Sequence, residues 1–104
     1  MKNYKVKLTI SGLPQKIIAV NGEPVVLQDI EYISLFVYRL PAIPFNGKTC
    51  VLQWPWRVSE EQTGMLIGCG ATRQGAINHA KTVLNRYSKE KILNQIKKHK
   101  LEDI

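Results

Sequence analysis

The residues best placed to do chemistry lie in the run Gly68-Cys69-Gly70-Ala71-Thr72-Arg73-Gln74-Gly75 and in the helical pattern behind it. Two chemistries are open to them. The first is anion binding. Where a glycine-rich turn opens a helix, free backbone N–H groups and the positive end of the helix dipole converge on one spot, and a phosphate can sit there. Arg73, in the first turn, would add a two-pronged guanidinium contact. The second is thiol chemistry. Cys69 stands just before the helix N-terminus, which lowers a thiol pKa, and His79 falls one helical face away. Nucleophilic catalysis also requires an oriented base and an oxyanion site, and no residue is spaced to supply either. The chain is therefore expected to be non-enzymatic.

The named nucleotide motifs are absent. The dinucleotide fingerprint needs a third glycine where Arg73 stands, and the phosphate loop needs Lys and Ser or Thr where Ala76 and Ile77 follow Gly75. The glycines equally serve a plain strand-to-helix turn. His79 and His99 have no cysteine or carboxylate at ligand spacing, so neither a metal nor a cofactor is expected. Trp54 and Trp56, with Arg57 and Lys48 nearby, have the composition of a platform for unpaired bases. The same tryptophans, sharing a strand face with Leu52 and Val58, also suit a core. Glu60 and Glu61 read as a solvated turn.

Charge favours a polyanionic partner. The 104 residues carry a formal net charge of +7. From Arg73 onward eight lysines and arginines stand against three carboxylates, which places five of the seven net charges there. Such a skew attracts RNA or DNA, or an acidic protein face. A solvated lysine-rich helix is the plainer alternative. Hydrophobic content of 44% is ordinary for one domain of this length. No apolar run reaches the roughly 20 residues that span a bilayer. The alternating start MKNYKVKLTI lacks a signal core, so a cytoplasmic location and no membrane association are expected. Cys50 and Cys69 form no close pair, which argues against a disulfide framework.

The elements that must position these residues follow from periodicity. Tyr4, Val6, Leu8 and Ile10 alternate with lysines as a half-buried strand, and Ser11 to Pro14 turn the chain. Lys16 to Val20 should return antiparallel, Asn21-Gly22 reads as a turn, and Val25 to Leu27 as an edge extension after Pro24. Asp29 to Leu40 reads better as a helix than as a strand. Ile30, Ile33, Val37 and Leu40 make one stripe, Asp29 is an N-cap and Pro41 a stop. Pro41 to Gly47 is an extended loop with a turn at its end. Leu52 to Val58 forms a strand that Pro55 places at an edge or bulge. A loop over 59–64 leads to a return strand over 65–69, with Val58 against Met65 and Cys69 against Trp54. Thr72 caps a long C-terminal helix striped by Ala76, Ile77, Ala80, Val83, Leu84 and Tyr87. After Ser88 the stripe changes phase, so Ile92, Leu93 and Ile96 point elsewhere. Either the helix breaks there, or residues 88–104 form a separate basic helical tail that packs on something else, such as a second copy of the chain.

The junction Gly68, Gly70, Thr72, Arg73, Ala76, Asn78 and Ala80 resembles the last strand and helix of double-stranded RNA-binding domains, G-x-G-x-S-K-K-x-A-K, over about twenty residues. That resemblance implies RNA binding through the helix start. The family's basic cluster would fall on Arg73, Gln74 and Ile77, of which Arg73 alone is basic. The span from Trp56 to Ala80, W-x-V-x-E-x-x-T-G followed by G-x-T-R-x-x-A-I-x-x-A, also looks like small prophage-encoded proteins of unassigned role.

The expected fold is a single α+β domain in the order ββαββα, a mostly antiparallel sheet with two helices on one face. The expected function is nucleic-acid binding through Thr72, Arg73, Lys81, Lys97 and Lys98, with Trp54, Trp56 and Arg57 beside them. The alternative is a phage-type interaction module or inhibitor of a host factor that dimerises or captures its partner through Ile92, Leu93 and Ile96.

Overall fold

The structure, a computed structural model, describes residues 2–8, 16–40, 43–45, 48–50 and 54–100. In these, seven strands precede two helices: β1 (Lys2–Leu8), β2 (Lys16–Val25), β3 (Leu35–Arg39), β4 (Ile43–Phe45), β5 (Lys48–Cys50), β6 (Trp56–Glu60), β7 (Leu66–Gly70), α1 (Arg73–Leu84) and α2 (Lys89–Lys98). Five strands form one sheet in the order β1-β2-β3-β6-β7, antiparallel throughout, and β4 and β5 pair separately. The class is α+β as expected. The order ββαββα is not, because every described strand precedes both helices.

The difference originates in residues 29–40. They form a turn and then the central strand β3, not a helix. Leu35 and Val37 face a cluster with Val58, Ala76, Ala80 and Leu84, while Phe36 and Tyr38 face a second cluster with Tyr4, Val6 and Val20. A strand covered on both sides has no polar face, so its period of two disappears from the sequence and the apolar run mimics a helix. Asp29 does not cap. It adopts φ 67°, in the left-handed region that Asp tolerates better than most residues, and turns the chain so that Ile30 and Ile33 reach the core.

Asn21-Gly22 is likewise not a turn but part of β2, which runs to Val25. A side chain at Gly22 would place its Cβ 2.9 Å from the Val37 carbonyl oxygen and 3.1 Å from the Phe36 ring. Its absence lets Tyr4 and Phe36 stack across β2 with ring centroids 3.9 Å apart and planes 3° apart. That stack contributes about 0.5–1.5 kcal/mol beyond burial and ties β1 to a strand it does not pair with.

β6 lies between β3 and β7 instead of at an edge, and its register shifts between Val58 and Ser59. Val58 pairs with Gly68 and Arg57 with Cys69, so the register is offset by three residues from the expected Val58–Met65 and Trp54–Cys69 pairs, and pairing continues past Val58 to Ser59 and Leu66. Glu60 organises its tip. It is buried, not solvated, and its carboxylate oxygens accept the Gln62 and Thr63 N–H groups at 2.7 and 2.8 Å. The tip then reaches the opposite edge of the sheet, where the Lys7 N–H donates to the Gly64 carbonyl at 2.9 Å.

The C-terminal region is two helices, not one long one. Ser88 caps α2 by accepting the Lys91 N–H, and Ile92, 8% exposed, joins the same core cluster as α1. Residues 88–98 are thus packed on this chain's own core. The expected positions of Ile10, the Ser11–Pro14 turn, the Asn46-Gly47 turn and the Leu52 side chain lie outside the described residues, as do the side chains of Lys48 and Cys50.

α1 sits almost on the backbone of β7. A Cβ at Gly68 would fall 2.5 Å from the Ala80 nitrogen, and one at Gly70 would fall 2.7 Å from the Ala76 nitrogen. Gly68→Ala is expected to lose about 3 kcal/mol of stability, since backbone cannot yield as a flexible side chain does. Urea denaturation measures this, and a loss below that of an exposed Gly→Ala control contradicts the close packing.

Candidate nucleic-acid interface at the start of α1

Three strands and a helix end converge at one corner of the sheet. Arg39 closes β3 and pairs with Trp56, which opens β6 and pairs with Gly70 at the end of β7. α1 begins immediately beyond. The corner holds a cleft of about 280 Å³ lined by Asn21, Glu23, Arg39, Trp56 and Arg73, among others.

Local chemistry makes the helix start receptive to anions. Thr72 has extended backbone geometry and its Oγ1 accepts the Gly75 N–H at 3.0 Å. The Ala76 N–H is taken by the Thr72 carbonyl. The N–H groups of Arg73 and Gln74 have no such partner among the described residues, and the first turn carries no acidic residue. Glu23 is the nearby carboxylate. Its Oε2 accepts from Arg73 Nη2 at 3.0 Å, with the two side chains 47% and 46% exposed. A pair this exposed contributes only about 0–1 kcal/mol, so a phosphate can displace the carboxylate.

The other expected contact residues are not all at this corner. Lys81 is exposed further along α1, and Lys97 and Lys98 occupy the last turn of α2. That turn lies at the hairpin-tip end of the sheet. Lys7 Nζ donates to the His99 carbonyl at 3.2 Å, and the Lys7 backbone meets Gly64. The basic residues therefore form two groups separated by the length of β7, roughly 17 Å at 3.4 Å per residue. Trp54, 47% exposed, precedes β6, whereas Trp56 is half-buried with one side on the core. Arg57 points to the other face of the sheet, and its Nε is buried with no hydrogen-bond partner among the described residues.

Sequence reasoning missed Asn21, Glu23 and Arg39. Arg39 was hidden by the helical reading of its segment, and only the pairing of β3 with β6 brings it beside Trp56. The Cys69–His79 relation also differs from a thiol–base pair. His79 Nδ1 accepts the Cys69 backbone N–H at 3.1 Å, so the imidazole caps an edge-strand donor.

Ile92 and Ile96 do not form an unpartnered face. Ile92 belongs to the core and Ile96 packs against it, which leaves Leu93 as the exposed member of the three. The phase change after Ser88 reflects a new helix direction. Among the described residues no helix is long and apolar enough to cross a membrane. Comparison with protein-family models, curated proteins and solved structures found no match to this chain.

Behind the cleft, burial pushes the Tyr38 hydroxyl above its ordinary pKa of 10.0, opposed in part by its 2.8 Å hydrogen bond with Ser59 Oγ and by the Arg57 charge. Folding thus favours the protonated phenol. Its contribution is complete below pH 10.0 and is lost as pH rises through the higher folded value, because the unfolded chain ionises first. The urea midpoint is expected to fall above that pH more steeply in the wild type than in Tyr38→Phe. Equal slopes would contradict the assignment.

Proposed function

We propose that this chain is a non-enzymatic nucleic-acid-binding protein that seats a phosphate between Arg73, Arg39 and the first turn of α1 and lays an unpaired base on Trp56. The observation that carries this reading is the shared cleft. The fold brings Arg39 and Trp56, from two different strands, beside Arg73 at the positive end of α1. Guanidinium groups and backbone N–H donors suit phosphate oxygens, and an indole offers a sequence-tolerant stacking face. A concave basic-aromatic cleft favours a single strand over a duplex, since aromatic stacking needs bases that are splayed out.

Lys81, Lys97 and Lys98 serve long-range attraction in this reading, with the strand itself held at the corner. The resemblance of the Gly68–Ala80 segment to double-stranded RNA-binding domains supports nucleic acid as the class and puts RNA first. A phage-type interaction module acting through Ile92, Leu93 and Ile96 has less support, because Ile92 and Ile96 are already packed inside the chain.

Fluorescence anisotropy with labelled single-stranded RNA, single-stranded DNA and duplex RNA tests the proposal. Micromolar binding to single strands is expected at low salt, weakening by a log–log slope of roughly −0.7 for each phosphate contacted. Arg39→Ala with Arg73→Ala should weaken it at least about tenfold. Glu23→Gln, which releases Arg73, should tighten it several-fold. Absence of binding at low salt, or binding indifferent to all three substitutions, refutes the site.

A further inference from the structure

The opposite end of α1 borders a second concavity. A half-open cavity of about 430 Å³ lies between β7, the last turns of α1 and the inner face of α2. Its volume falls in the range of small-molecule sites, roughly 300–1,000 Å³. The walls are apolar, with Ile67, Val83, Ile92 and Ile96 among them. Glu60 and Thr63, each 1% exposed, also line it.

Glu60 is the unusual part. A carboxylate has about four acceptor positions, and two are taken by the Gln62 and Thr63 N–H groups. Buried carboxylates are ordinarily paired with a cation. Among the described residues, however, no lysine or arginine lies within ion-pair reach of Glu60; the ion pairs there are Lys2–Glu61 and Arg73–Glu23. Lys91 borders the cavity, but it is exposed and its Nζ lies over the Tyr87 ring, 5.3 Å from the centroid. An apolar chamber with an anionic, incompletely used acceptor is complementary to a ligand with an apolar body and one cationic donor.

We propose that this cavity binds a small organic amine, its ammonium donating to Glu60 and its hydrocarbon body resting on Val83, Ile92 and Ile96. The site is independent of the corner cleft, and α2 forms one of its walls, contributing a single buried residue, Ile92. The ammonium supplies the counter-charge that no described residue brings to Glu60. An apolar alcohol would gain the wall contacts without that charge pairing, and a carboxylate would be repelled.

Methyl and amide NMR spectra of the full chain, titrated with n-hexylamine, n-hexanol and hexanoate, test this. Hexylamine is expected to shift the Val83, Ile92 and Ile96 methyls and the Thr63 amide saturably, at least about tenfold more tightly than hexanol. Hexanoate should give no saturable shift. Glu60→Gln should remove the preference for amine over alcohol, and if that variant does not fold the wild-type series alone decides. Equal binding of amine and alcohol, preferential binding of hexanoate through Lys91, or no shift at these residues each overturns the proposal.

Discussion

The close seating of α1 on β7 is the constraint on which the remaining geometry depends. Gly68 and Gly70 present no side chain, and Ala76 and Ala80 answer them from the helix. With the helix axis drawn in, Leu84 reaches the central cluster shared with Leu35, Val37 and Val58. The same approach fixes where the helix starts. Its first turn comes to rest over the corner where β3, β6 and β7 end, and that placement gives Arg73 its neighbours. The far end of α1 borders the space beside β7, and α2 lines the same space from the other side.

The sheet is a curved wall with two cores. Leu35 and Val37 belong to the helical side, and Phe36 and Tyr38 to the side where β1 wraps over. Tyr4 stacked on Phe36 and the hydrogen bond from Lys7 to Gly64 hold that wrap in place. Burial of one large apolar side chain stabilises by roughly 1.5–3 kcal/mol, whereas an exposed pair such as Arg73–Glu23 gives about one or less. The two faces of β3 therefore hold the fold, and the ion pair at the cleft is free to exchange.

The sequence was legible where one face of an element meets water. β1 alternates openly, α1 shows a stripe behind a Thr72 cap, and both stand where periodicity puts them. It was illegible where burial is two-sided or where a residue has a long-range purpose. β3 has no polar face to mark its period. Gly22 looks like a turn residue but is small because two aromatic rings meet over it. Glu60 looks like a surface acid but folds its carboxylate into its own turn. Of the corner cleft, Arg73 and Trp56 were visible from local pattern. Asn21, Glu23 and Arg39 became neighbours only through strand pairing.

The stitch between Lys7 and Gly64 bears on how the chain comes into being. β1 has its closing partner in a hairpin that lies much later in the chain, and the Tyr4–Phe36 stack waits for β3. Until then β1 and β2 can pair with each other but cannot cover Tyr4, Val6 and Val20. Contacts so distant in sequence slow folding. Until β3 follows, the β1–β2 hairpin is an uncovered ribbon, and neighbouring chains compete for the same apolar face.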